Sequence, residues 1–268
     1  MSDPAFTRME KHEKFTLAET QSGNYCIPIA ILKNWFGDDL QDLVDAHKFY
    51  TIGIMCSEKT YQSRIHDIEW NFSYAQQKSF IEKSKKAQWY ASKQFIEESI
   101  GLLHHYMMRL YSSIYAIRNE DNNIENFINN LDKKTKEFES KDFPNKVKTL
   151  NSYHSSSIAF ENNIISLNSA RNCFVHRLGI VSAKDIKDGG NNFIIKWRAI
   201  RIDKKSNPPD VFVNLEKKYA LGTTIVFDHQ ECMDTMYTLM CYFEVLFNTC
   251  MTNLGLDKDE AFYEFKRG

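Results

Sequence analysis

"SKQFIEESIGLLHHYMMRLYSSIYAI", Ser92 to Ile117, decides how the chain folds. Its apolar residues Ile96, Ile100, Leu103, Met107, Leu110, Ile114 and Ile117 recur at alternating steps of four and three. That spacing places them on one face of an α-helix and on no face of a strand. Proline is missing and the one glycine, Gly101, interrupts nothing at a turn. The pattern predicts a helix from about Ala87 to Ile117, with a stripe long enough to need partners along its whole length.

Two further segments repeat the pattern. From about Ser155 to Leu178, Phe160, Ile164, Leu167, Phe174 and Leu178 fall on one face. From about His229 to Leu254, the stripe is Met233, Met236, Met240, Phe243, Phe247, Cys250 and Leu254. Asp228 and Glu231 make a capping box at the start of this third helix, and Gly255 supplies its stop. Between the second and third helices the texture changes. "NFIIKWRAIRI" (Asn192 to Ile202) and "TTIVFD" (Thr223 to Asp228) are β-branched, aromatic and partly alternating, and "NPPD" (Asn207 to Asp210) is a loop. These read as a small antiparallel pair.

The rest organises around that frame. "RNEDNNIENFINNLDKK" (Arg118 to Lys134) reads as a polar connection with a short helix in it, and "DKKTKEFESKDF" (Asp132 to Phe143) as a solvated helix face. "IPIAILKNWFGDDLQDLVDAHKFYTIGIM", Ile27 to Met55, is helical in composition, with breaks expected at Pro28 and Gly37. The expected class is all-α: an up-and-down helical bundle over residues 61–268, with a β-hairpin insertion near 192–228 between the last two long helices. Residues 1–60 form a helical cap or small lobe.

The 268 residues carry a net charge of −1, with 26% charged. This is a globular composition, so any nucleic-acid contact must come from a local patch. The six cysteines include no C-x-x-C pair and read as reduced core thiols. "MSDPAFTRMEKHEKF" has no apolar signal core. "TLMCYFEVLFNTCM" (Thr238 to Met251) is too short to span a bilayer and contains Glu244. A cytoplasmic protein without membrane contact is expected.

Dinucleotide and P-loop glycine motifs are absent from the sequence, as are H-E-x-x-H and zinc-type Cys/His spacings. Cys173 and His176 make only half of a metal motif, and His104 and His105 read as polar positions beside the first stripe. No metal or cofactor is expected. The chemistry lies in "SARNCFVHRLG", Ser169 to Gly179. Asn172 and His176 are four apart and share a helix face. Arg171 takes a slot of the apolar stripe between Leu167 and Phe174, where a cation needs a partner or a polar opening. Arg171 and His176 diverge by about 140° on a straight helix. Either the helix end unwinds or two copies of the helix meet, which implies a symmetric dimer.

A histidine near neutrality is a proton carrier, and an arginine fork stabilises a phosphoryl group. "ARNCFVHRLGIVS" resembles the R-x4-6-H motif of the HEPN superfamily, helical-bundle proteins that include metal-independent ribonucleases. The resemblance implies a homodimer cleaving RNA through a shared site, with His176 as general acid and base, Arg171 as phosphate stabiliser and Asn172 as orienting residue. It implies a toxin or antiviral defence role, restrained by an antitoxin or defence-system partner. Some members carry a tyrosine two residues after the histidine that nucleotidyltransferase antitoxins modify; here that residue is Leu178. The alternative is a HEPN-like dimeric module that binds a nucleotide or protein without cleaving. "KWRAIRIDKK" (Lys196 to Lys205) is the local basic patch. Lys196 and Arg198 share one strand face opposite Trp197 and, with Arg177 and Lys184, are the expected RNA contacts. For the first two, a solvated edge strand protected by its charges is the reading the residues favour over RNA contact.

Overall fold

A computed structural model of the chain describes residues 6–11, 16–20, 25–27, 29–56, 80–119, 124–153, 160–186, 190–202, 210–256 and 263–264. Long helices dominate: α1 (Ile29–Cys56), α2 (Phe80–Arg118), α3 (Ile124–Glu139), α4 (Phe143–Asn151), α5 (Glu161–Arg177) and α6 (His229–Asn253). Strands β4 (Asn192–Ile202) and β5 (Asp210–Ala220) form a hairpin between α5 and α6. The fold class expected from the periodicity, a helical bundle with a small antiparallel insertion between the last two long helices, is the one observed.

Four shorter strands lie near the chain ends. β1 (Phe6–Lys11), β2 (Thr16–Thr20), β3 (Tyr25–Ile27) and β6 (Tyr263–Glu264) make one sheet in the order β1-β2-β3-β6, antiparallel throughout. The N-terminal stretch is therefore strand followed by helix rather than a helical cap. Its strands are three to six residues long, too short to print a period. Nor does α1 break at Gly37: Leu32, Phe36, Leu40, Val44 and His47 are buried along it at helical spacing, and that burial outweighs the cost of one interior glycine. A Cβ added at Gly37 would meet nothing within 4 Å. Gly37→Ala is expected to raise unfolding stability by about 1 kcal/mol in a denaturant titration.

The chain packs as two compact units, residues 1–39, 101–165 and 238–268 in one, and 40–100 and 166–237 in the other. Helices α1, α2, α5 and α6 each contribute a stretch to both. In the first unit, Phe36 sits 5.4 Å from Tyr106 and 4.5 Å from Phe243 between ring centres, and Tyr111 stacks on Phe138 at 4.2 Å. The Tyr106 hydroxyl donates to Asp39 Oδ2 at 2.6 Å. His104 stacks on Phe143, and His105 accepts from Arg109 Nε at 2.7 Å, so both histidines belong to local packing. From Ile124 on, the Asn-rich stretch belongs to α3, which buries Phe127, Leu131 and Phe138; residues 120–123 lie outside the described residues. Helix α6 ends as its sequence specifies. Gly255, at φ 70°, donates to the Thr252 carbonyl, and Leu256 donates to the Met251 carbonyl.

In the second unit, α6 begins with the expected capping box: Glu231 N–H donates to Asp228 Oδ1 and Asp228 N–H donates to Glu231 Oε2, both at 2.8 Å. The hairpin pairs from Asn192↔Ala220 to Ile202↔Asp210. Its second strand is "DVFVNLEKKYA", not "TTIVFD". Residues 223–225 are extended but pair elsewhere: Val181 N–H donates to the Thr223 carbonyl at 2.9 Å and Ile225 N–H to the Gly179 carbonyl at 2.8 Å. Phe193, Ile195, Trp197 and Ala199 face the core, as the alternation requires. Ser166 ties α5 to the other edge of β4, its Oγ accepting from Lys196 N–H at 2.8 Å and donating to the Ile194 carbonyl at 3.2 Å. Arg201 grips Asp234 through both terminal nitrogens, at 3.0 and 2.9 Å.

Candidate functional site

The end of α5 and the turn after it carry the motif. Ala170, Cys173 and Phe174 are fully buried on one side of the helix. Arg171 occupies the neighbouring stripe position and is half-buried. Its Nε is buried without a hydrogen-bond partner among the described residues, and its Nη1 donates to Asn172 Oδ1 at 3.3 Å. Asn172 is half-buried and His176 is exposed in the last turn. Arg171 and Asn172 are thus brought together, while His176 stands apart on the solvent side. Asn172 turns its oxygen to the arginine rather than to the imidazole. Cys173 belongs to the interior: its Sγ contacts the Ile180 carbonyl at 3.4 Å, and burial pushes the thiol pKa up. Cys173 and His176 therefore face different environments, and among the described residues no group of three metal-ligating side chains converges.

The helix stops abruptly. Leu178 and Gly179 both have positive φ, 53° and 76°, and Gly179 N–H reaches back to the Cys173 carbonyl at 3.0 Å. This overturns one expectation: Leu178 does not continue the buried stripe but is 68% exposed, because the chain has already left the helix. Val175 and Ile180 are exposed beside it. Gly179 is needed for space as well as for φ. A Cβ there would lie 2.9 Å from Phe174 Cδ1 and 3.4 Å from Trp89 Cζ2. Gly179→Ala is expected to cost about 2 kcal/mol, from left-handed strain plus overpacking against a buried ring, measured by chemical denaturation.

The expected RNA contacts divide. Arg177 is committed within the fold. Its Nε donates to Asp185 Oδ2 at 2.9 Å and its Nη2 to Asp185 Oδ1, while the same carboxylate accepts from Ser182 N–H at 2.8 Å and Ser182 Oγ at 2.9 Å. Burial opposes the Arg177 charge, and the Asp185 carboxylate more than compensates, so its pKa rises. Lys184 is exposed in that turn. Lys196 is exposed on the outward face of β4, and Arg198 on the same face donates from Nε to Asn214 Oδ1 at 2.9 Å. Asp185 was not singled out in the sequence: a carboxylate eight residues past Arg177 follows no helical or strand period.

Comparisons of the chain with protein-family models, curated proteins and solved structures return no match. No helix among the described residues is long and apolar enough to cross a membrane.

Proposed function

We propose that the chain is a metal-independent endoribonuclease of HEPN type, working as a homodimer in toxin or defence biology. The supporting observation is the half-buried Arg171, whose Nε has no partner, set beside Asn172 and one turn before an exposed His176. A buried guanidinium edge without an acceptor costs stability that a phosphate would restore. Exposed Val175, Leu178 and Ile180 flank His176 and offer apolar surface for a second copy. Across a two-fold axis, arginine and histidine from two α5 helices would converge as one helix cannot arrange them.

In the reaction, the RNA 2′-oxygen attacks the adjacent phosphorus while His176 accepts its proton. The O2′–P bond forms and the P–O5′ bond breaks. The leaving 5′-oxygen takes a proton from an imidazolium, and Arg171, oriented by Asn172, carries the charge that gathers on the phosphoryl oxygens. Exposed Lys184 and Lys196 and half-buried Arg198 would hold flanking phosphates. The products are a 2′,3′-cyclic phosphate and a 5′-hydroxyl. The test is purified protein incubated with RNA in EDTA, with end-group analysis and a measured oligomeric state. A dimer producing cyclic phosphate ends supports the reading; a strict monomer, or ends of the opposite polarity, refutes it. Asn172 bonding to Arg171 rather than His176 favours a second reading, a dimeric module that binds a nucleotide or protein without cutting. Under that reading no RNA is cut in any buffer.

A further inference from the structure

A cavity of about 590 Å³ lies in the second unit, and none of the residues Ser169 to Gly179 lines it. That size takes a ligand of some tens of atoms. Its walls come from α1 (His47, Thr51), the start of α2 (Trp89, Ser92) and the chain entering α6 (Val226, Phe227). Three properties point to a ligand with a flat ring at one end and an anion at the other.

The first is a buried histidine. His47 is 4% exposed; the Ala91 main chain is the one polar group that acts on its ring as a hydrogen-bond partner, and among the described residues neither ring nitrogen makes a well-formed hydrogen bond. Burial, then the neighbouring His229, lowers its pKa, with the Ala91 main chain acting the other way. The ring is therefore neutral at pH 7, with one nitrogen to donate and one to accept. With the Ala91 main chain facing one nitrogen, the other is left unanswered at a depth where that is costly, and a heteroaromatic ligand would answer it. The second is flat surface. His229 stacks on His47 at 5.4 Å with 14° between planes, and the Trp89 indole is fixed by its N–H to the Ile225 carbonyl at 2.8 Å. The third is charge. Lys85, Lys86 and His229 are exposed at the cavity, which also receives the positive end of the 25-residue α6. Among the described residues Asp228 is the one carboxylate in the lining; its Oδ1 accepts from Glu231 N–H, and its charge is outnumbered by the two lysines.

We propose that this cavity binds a nucleoside monophosphate, its base against Trp89 and the His47–His229 pair and its phosphate at Lys85, Lys86 and the first turn of α6. The site does not depend on the ribonuclease reading. The experiment is calorimetric titration of the full chain with AMP, GMP, CMP and UMP, and with adenosine and inorganic phosphate as half-ligands. At least one nucleotide binds once per chain, tenfold or more tighter than either half-ligand. The pair Lys85→Glu and Lys86→Glu, both on the surface, weakens that binding at least tenfold, and His47→Phe weakens it too. His176→Ala binds as the wild type does. No binding by any of the four at millimolar concentration overturns the proposal. So does binding that is lost in His176→Ala and kept in the lysine pair, because the nucleotide then sits at α5.

Discussion

His176→Ala is expected to slow RNA cleavage by roughly 100-fold or more, the scale of one positioned proton carrier, while unfolding stability moves by less than about 0.5 kcal/mol. The two halves of this expectation rest on different observations. The imidazole is exposed in the last turn of α5, so truncation opens no cavity. Anything lost must therefore be lost from chemistry or from contact with another molecule. Arg171→Ala should match it in rate, and Arg171→Lys should not restore activity, since an ammonium lacks the planar fork that two phosphoryl oxygens need. The double variant should be little worse than either single one, because residues acting on one transition state are not additive. Single-turnover cleavage of a labelled RNA, beside a denaturant curve for each variant, checks all of this. A His176→Ala protein that cuts at the wild-type rate ends the assignment of the chemistry to the α5 motif. One that loses stability and not rate marks the residue as structural.

What could be seen in the sequence follows from how much each element is buried. On α2 the residues from Ile96 through Ile114 that set the period are fully buried, so period and burial coincide. On α6 burial is broader than the stripe first read: Cys232, Thr235, Leu239, Tyr242 and Leu246 are as buried as Phe243 and Phe247, while Met240 is 38% exposed. A helix apolar on most sides gives its existence but not its inward face. Strand β5 was invisible for the opposite reason. It forms one edge of a two-stranded hairpin and alternates in burial, with Phe212, Asn214, Glu216 and Lys218 exposed and Val213, Leu215 and Lys217 half-buried. Of its described side chains only Tyr219 is buried, and an outward phenylalanine and an inward lysine blur the pattern in the residue types. "TTIVFD" does alternate, with Ile225 and Phe227 buried and Val226 exposed, yet its partner is the turn after α5. At the site, spacing placed Arg171 in the apolar stripe and Asn172 and His176 on one face. It could not show which oxygen the arginine would meet, nor that Arg177 would be taken up by Asp185, because both depend on how the chain turns after the helix ends.

That turn is the subject of the second large expectation: Asp185→Ala should destabilise the protein by about 3 kcal/mol, at the lower end for a broken buried ion pair. The Asp185 side chain is 4% exposed, while that of Arg177 is 25% exposed, so the stranded guanidinium recovers some water. Four donor contacts lose their acceptor at once, two from Arg177 and two from Ser182. Asp185→Asn keeps one amide oxygen for Ser182 and should cost roughly half as much. Replacing both partners, Arg177→Met with Asp185→Leu, should cost less than Asp185→Ala alone, since no buried charge is left unpaired. Denaturant midpoints with unchanged slopes measure the series. The same variants separate two roles for Arg177. If it pins the turn, Arg177→Ala loses stability and its effect on RNA affinity is no larger than that of Asp185→Ala. If it is a free phosphate contact, Arg177→Ala weakens RNA binding and flattens its salt dependence at unchanged stability. The bidentate grip of Asp185 favours the first outcome. Under the ribonuclease reading, that outcome leaves phosphate contacts to Lys184 and to the outward face of β4.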